Sequence, residues 1–185
     1  SCLPRSGTSL MMQMLVAAGI EPLIDEVRPA DENNPKGYFE SEQVLELAND
    51  ATWLHSAGGK VVKIVVPLLP LVPDGLHCKI LVMVRDLNEV VRSQNEMLVR
   101  LGQVPHPAPE MLVRVFQQQQ ETVIANLRCR KNCQLIEVRH SELIRKNHEE
   151  FDRVLEFLGV PLRNADFSWS CLDQGLYRAQ GRELR

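Results

Sequence analysis

The sequence predicts an α/β fold with a mainly parallel, doubly wound sheet and helices on both faces of that sheet. Short apolar runs typical of buried strands alternate along the chain with longer segments whose apolar residues recur at helical spacing. Such alternation implies parallel strands joined by right-handed crossovers. The chain has 185 residues, of which 44% are hydrophobic and 24% charged, so we expect one globular domain over residues 1–185.

The first expected element is a turn-rich loop that leads into a helix over residues 6–18. Residues 4–9 read Pro-Arg-Ser-Gly-Thr-Ser, and an apolar, strongly helical segment follows them. The first amides of a helix have no partner within the helix, and the helix dipole favours an anion near them. We therefore expect a phosphate-binding loop that uses the cation of Arg5 and the backbone amides of Ser6, Gly7, Thr8 and Ser9.

This loop differs from the Walker A loop that binds ATP and GTP. The Walker pattern is Gly-x4-Gly-Lys-Ser/Thr, whereas here Cys2 stands at the first glycine and Thr8 at the lysine. Because the lysine for a triphosphate tail is missing, the loop favours a different phosphate ligand.

We next expect an acidic, turn-rich stretch over residues 21–40 and a helix near residues 41–50. A strand over residues 61–66 follows them. The strand is predicted because β-branched residues dominate it and Pro67 ends it. Lys63 interrupts this apolar run. Since lysine is rarely buried without a partner, Lys63 is a candidate functional residue.

A second strand over residues 79–84 ends at Arg85 and leads into a helix over residues 87–101. Asp86 is the expected N-cap of this helix, with an acidic residue three positions later. Ser93 follows Arg85 by eight residues, and helical side chains lean toward the start of their helix. A guanidinium group supplies a planar fork for phosphate oxygens, so Arg85 and Ser93 predict a second phosphate site.

The remaining predicted elements are a helix over residues 110–128, a strand over residues 134–139 and a helix over residues 148–158. In open parallel sheets, ligands bind beyond the carboxyl ends of the strands. Three cations fall at or near those ends, and the topology is expected to bring them to one edge: Arg5, Lys63 and Arg85.

Four segments, in the same order along the chain, resemble the sulfotransferases that use 3′-phosphoadenosine 5′-phosphosulfate (PAPS). Residues 4–9 resemble their 5′-phosphosulfate loop, and Lys63 and Pro67 resemble the ends of their Lys-Thr-His-x-Pro strand. The Arg85–Ser93 spacing is similar to that of their 3′-phosphate site. Residues 135–143, with the helix after them, resemble their carboxyl-terminal region.

The resemblance implies a P-loop fold and transfer of a sulfuryl group from PAPS to a hydroxyl or amine acceptor, without a metal. Arg5 and Lys63 would be catalytic. Arg5 and residues 6–9 would bind the 5′ end of the donor, and Arg85 and Ser93 its 3′-phosphate.

The general base implied by the resemblance is a carboxylate. Val65 stands where cytosolic sulfotransferases have a histidine base. In tyrosylprotein sulfotransferases, the catalytic carboxylate lies 21 residues after the loop arginine, and Glu26 lies at that distance from Arg5. Asp25 is the neighbouring candidate.

Two alternatives remain open at this point. The first is a protein that binds PAPS, or its product PAP, without catalysis, because Val65 cannot act as a base and the family's glycine-rich carboxyl-terminal motif is not recognisable in residues 171–185. The second is a small kinase that uses a nucleoside triphosphate, which the missing loop lysine disfavours.

Charge and composition exclude several classes of partner and site. The net charge of −3 gives no general basic surface for nucleic acid, and no run of about 18 apolar residues predicts a membrane span. The five cysteines form no CxxC pair and indicate free thiols in the cytoplasm. The five histidines, including His140, are expected at the surface or in loops. A buried strand is expected before Ser1, since loops of this kind follow one.

Overall fold

The computed structural model describes residues 1, 3–25, 37–162 and 169. Five α-helices and two β-strands occur among these residues, together with three short 3₁₀ helices at Glu42–Val44, Thr52–Ala57 and Val66–Leu71. The helices and strands, in chain order, are α1 (Thr8–Ala17), β1 (Cys78–Val84), α2 (Leu87–Arg100), α3 (Pro109–Cys129), β2 (Cys133–Arg139), α4 (His140–Ile144) and α5 (His148–Leu158). The chain is therefore of mixed α/β class, as predicted.

The sheet that the described residues form consists of β1 and β2, which are parallel and in register. Cys78 lies opposite Cys133 at one end and Val84 opposite Arg139 at the other. On the opposite edge of β1, the backbone nitrogen of Ser1 donates to the Leu81 carbonyl at 2.5 Å. The Met83 amide donates to the carbonyl of Ser1 at 2.9 Å. Ser1, which precedes the loop over residues 4–9, is thereby fixed beside the carboxyl half of β1.

Residues on β1 alternate between two apolar clusters, one on each face of the sheet. Leu81 and Met83 belong to the cluster that α1, α4 and α5 cover, whereas Ile80 and Val82 belong to the cluster that α3 covers. This alternation follows from the two-residue period of a strand. Helices therefore pack on both faces of the sheet. The loop over residues 4–9 lies at the amino-terminal end of α1, which covers one of these faces.

The predicted strand over residues 61–66 is wrong. Val61 forms an isolated parallel bridge with Pro22, and the chain turns into the 3₁₀ helix Val66–Leu71. Pro67 lacks an amide hydrogen and its fixed φ suits the first turn of a helix, so it favours this turn over a longer strand. Val65 also lies in a single bridge and is extended, but Pro67 belongs to the 3₁₀ helix, so the segment does not form the continuous strand that was predicted.

The helix expected near residues 41–50 is also wrong. The hydrogen bonds at the start of this segment span three residues: Val44 donates to Ser41 and Leu45 donates to Glu42. Val44 and Leu47 are three positions apart and both buried, a spacing that places side chains one above the other in a 3₁₀ turn. Both side chains are buried in the apolar cluster that α3 covers, and this burial favours the 3₁₀ turn over a regular α-helix.

The predicted boundaries of the other elements agree with the structure to within two residues. Asp86 is the N-cap of α2, and its side chain accepts from the amides of Asn88 and Glu89. The short helix α4, directly after β2, is a feature that the sequence pattern did not predict. Among the described residues, no helix has the length and apolar character needed to cross a membrane.

Candidate functional site

The loop over residues 4–9 has an unusual backbone on both sides of Ser6. Arg5 has a φ of 72° and Gly7 a φ of 92°, both in the left-handed region. Gly7 is the N-cap of α1, so no side chain at this position can accept from the amides of the first turn. The loop therefore presents the amino-terminal end of α1 as a potential anion site.

Helix α2 holds this loop through two adjacent residues. The Arg5 Nε donates to the hydroxyl of Ser93 at 3.1 Å, and the Gln94 amide group donates to the Pro4 carbonyl at 3.1 Å. Ser93 and Gln94 are both 7% exposed. The sequence predicted that Ser93 acts together with Arg85, and the structure brings Ser93 into direct contact with Arg5.

Arg85 supports the loop from the end of β1. Its Nη1 donates to the carbonyl of Arg5 at 2.8 Å, and its Nε forms an ion pair with Glu89 at 3.0 Å. The Arg85 side chain is only 9% exposed. Glu89 was not identified as a site residue from the sequence, although its position four residues after Arg85 is the signal that could have indicated the pair.

Lys63 reaches the other side of the loop although it does not lie on a strand. Its ammonium group donates to the Tyr38 carbonyl at 2.8 Å and to Glu40 Oε1 at 2.9 Å, and it lies 3.5 Å from the Ser9 hydroxyl in the first turn of α1. The Lys63 side chain is 10% exposed. A buried lysine requires a compensating charge, and Glu40 supplies it.

Of the two residues that the sequence suggested as the general base, Glu26 and Asp25, the structure describes only Asp25. Glu26 lies outside the described residues. Asp25 is described, and its Oδ2 accepts from the Glu42 amide at 2.5 Å, at the start of the 3₁₀ helix Glu42–Val44. Its own amide donates to the Glu40 carbonyl at 3.2 Å. These contacts give Asp25 a structural role in joining residues 25, 40 and 42.

His140 lies beneath the loop, and its assignment to the surface is wrong. It is the first residue of α4, is 4% exposed, and packs so closely on Gly7 that a Cβ at position 7 would overlap the imidazole ring. Burial, and secondarily the positive charge of Arg85, lower the pKa of His140 to about 4. The ring is therefore neutral at pH 7. Its position at the carboxyl end of the strand over residues 134–139 was the available sequence signal.

The site thus joins one loop, two strand ends and the starts of two helices. Arg5 lies within the loop and the side chains of Lys63 and Arg85 lie beside it; Glu89 pairs with Arg85 and Glu40 pairs with Lys63. Such an arrangement suits an anionic ligand with more than one charged group, because its donors are already held in place. Within the described ranges, no group of three or more histidine, cysteine, aspartate or glutamate side chains could hold a metal ion.

Comparison of the chain with protein-family models, with curated proteins and with solved structures found no match.

Proposed function

We propose that this chain is a PAPS-dependent sulfotransferase built on a P-loop type, doubly wound α/β fold. The observation that carries the proposal is the contact between Arg5 and Ser93, which are 88 positions apart, together with the bond from Arg85 to the carbonyl of Arg5. These contacts link the loop at the start of α1 to the two residues expected to recognise a second phosphate. PAPS carries anionic groups at both its 5′ and 3′ positions.

The chain's residues fit this donor in two separate places. The amides of residues 6–9 would hold the 5′-phosphate at the start of α1. Arg85 and Ser93 would hold the 3′-phosphate, which distinguishes PAPS from ADP. Because the Ser93 hydroxyl accepts from Arg5, its own proton is directed to another acceptor, such as a phosphate oxygen.

Sulfuryl transfer, like phosphoryl transfer, requires in-line positioning of the reactants and stabilisation of charge that develops in the transition state. Arg5 and Lys63 would supply that stabilisation at the sulfuryl group and at the bridging oxygen. Their contacts with Ser93, Ser9 and Glu40 hold both cations before any ligand arrives, so little reorganisation is needed during the reaction.

A protein that binds PAPS or PAP without catalysis is the second candidate. The specific observation in its favour is Val65, which has no proton acceptor where cytosolic sulfotransferases have a base. We place either protein in the cytoplasm, since Cys78, Cys129 and Cys133 are free thiols.

We expect PAP to bind at least about tenfold more tightly than ADP, a difference of about 1.4 kcal/mol, because only PAP can reach Arg85 and Ser93 with a 3′-phosphate. Isothermal titration calorimetry with each nucleotide, with and without Mg²⁺, measures this preference. It should disappear in Arg85→Ala and persist in Arg100→Ala, which removes an exposed arginine from the far end of the same helix, α2. Equal affinities in the wild type, or binding that requires Mg²⁺, would instead support a nucleoside triphosphate ligand.

A further inference from the structure

We propose that Glu40 is the general base that takes the proton from the acceptor, an assignment that rests on the proposed sulfotransferase function. The first support is position. Glu40 Oε1 lies 2.9 Å from the Lys63 ammonium group, which also lies 3.5 Å from the hydroxyl of Ser9 in the first turn of α1. One cation therefore connects this carboxylate to the loop at which the sulfuryl group of PAPS would lie.

The second support is the difference in exposure within this ion pair. The side chain of Lys63 is 10% exposed, whereas that of Glu40 is 40% exposed. Most of the Lys63 side chain is thus enclosed by the protein, while a larger part of the Glu40 side chain remains open to solvent. An acceptor that approaches from solvent can thus reach Glu40 while its reacting oxygen or nitrogen stays close to Lys63.

The third support is the backbone of residues 38–40. Phe39 has a φ of 52°, in a region where a residue with a side chain is strained by about 1–2 kcal/mol. This conformation lets the Tyr38 carbonyl and the Glu40 carboxylate meet the same ammonium group, at 2.8 and 2.9 Å. Strained residues that persist in a folded protein concentrate at functional sites.

Other described groups near the loop are less suited to the role of base. His140 is 4% exposed and lies behind Gly7, so an acceptor cannot reach it. Glu89 pairs with Arg85, on the side of the loop where the 3′-phosphate is expected. Asp25 accepts from the amide of Glu42. Glu40 is the carboxylate among the described residues that pairs with Lys63.

In the reaction, the acceptor's proton passes to a carboxylate oxygen of Glu40 as the acceptor oxygen or nitrogen forms a bond to sulfur. The bond between sulfur and the oxygen that bridges it to the 5′-phosphate breaks, and its electron pair leaves with PAP. Lys63 stabilises the charge that develops on this bridging oxygen. When water is the acceptor, the products are sulfate and PAP.

The experiment compares wild type, Glu40→Gln, Glu40→Asp, Glu26→Gln and Glu21→Gln. The last is a matched control, because Glu21 forms an exposed ion pair with Lys60 at 2.5 Å. PAP affinity is measured by calorimetry. Release of PAP from PAPS is measured between pH 4 and pH 9 (a range chosen as roughly the span of carboxylate and histidine titration), with water, phenol and ethanolamine as acceptor probes.

We expect Glu40→Gln to bind PAP as the wild type does, to release PAP about 10²-fold more slowly, and to lose the acid limb of the pH–rate profile. Glu40→Asp should recover part of the rate together with that limb, whereas Glu21→Gln should leave both unchanged. The assignment of Glu40 as the base would be overturned if Glu40→Gln kept a pH–rate profile of wild-type shape, or if Glu26→Gln were the only variant that released PAP more slowly. Either result would leave the proposed function standing. A wild type that binds no PAP, or binds it and leaves PAPS intact, would overturn the assignment together with the proposed catalysis.

Discussion

Replacing Gly7 by alanine is expected to lower PAP affinity by about 10²–10³-fold, similar to the loss of a preorganised charge-stabilising donor. Gly7 has a φ of 92°, and a Cβ at this position would overlap the ring of His140. The loop and the imidazole cannot both keep their positions, so the first-turn amides of α1 move away from the ligand. The free energy of unfolding should also fall, by about 3 kcal/mol or more, since backbone strain and a buried overlap act together. Calorimetry and denaturant titration measure the two effects.

Gly59→Ala is the matched control for this substitution. Gly59 has a φ of 76°, but no atom lies within 4 Å of a Cβ built there, so this variant carries the backbone strain without the overlap. It should lose about 1–2 kcal/mol of stability and keep its PAP affinity. If Gly7→Ala binds PAP as tightly as Gly59→Ala does, the loop at Gly7 is not the phosphate site.

Replacing Lys63 by methionine is expected to lower sulfuryl transfer by about 10³-fold, because the cation that we propose stabilises the bridging oxygen is removed and Glu40 loses its partner. Methionine has a similar length and is apolar, so the packing of the side chain's stem is largely kept. PAP carries no sulfuryl group, and its affinity should therefore fall much less than turnover does. Single-turnover release of PAP from PAPS, alongside calorimetry with PAP, separates the two quantities.

Two further variants test whether a loss of transfer rate in Lys63→Met is caused by the loss of the positive charge at this position. Lys63→Arg keeps a positive charge and should recover part of the rate. Lys60→Met removes the lysine of an ion pair three residues earlier, between Lys60 and the exposed carboxylate of Glu21, and should transfer at the wild-type rate. Turnover in Lys63→Met equal to that in Lys60→Met would restrict Lys63 to a structural role beside Glu40.

The elements that sequence predicts well are those whose local signals and tertiary packing agree. β1 contains an apolar run over residues 80–84, and the N-cap Asp86 and the amphipathic pattern after it define the start of α2. The segments over residues 41–50 and 61–66 were predicted wrongly, because burial of Val44 and Leu47 and the local effect of Pro67 prevailed over composition.

In the candidate site, too, some features could be predicted from local sequence signals and others depend on tertiary contacts. The proximity of Arg5 and Arg85 was anticipated, since strand ends meet at one edge of a sheet, whereas the hydrogen bond between Arg5 and Ser93 was not. Glu40 could not be identified in this way, and the position of His140 at a strand end did not indicate its packing on Gly7. Glu40 contacts Lys63 and His140 contacts Gly7, and in both pairs the partners are far apart in the sequence. No local pattern encodes such contacts.

The central claim is that the loop at the start of α1 and the Arg85–Ser93 pair bind the two phosphates of one nucleotide. A crystal structure of the chain with PAP tests this most directly. We predict the 5′-phosphate at the amides of residues 6–9, and the 3′-phosphate at hydrogen-bond distance, about 2.7–3.2 Å, from the guanidinium of Arg85 and the hydroxyl of Ser93. A nucleotide bound elsewhere, or one whose 3′-phosphate points to solvent while its 5′-phosphate occupies the loop, would contradict the claim.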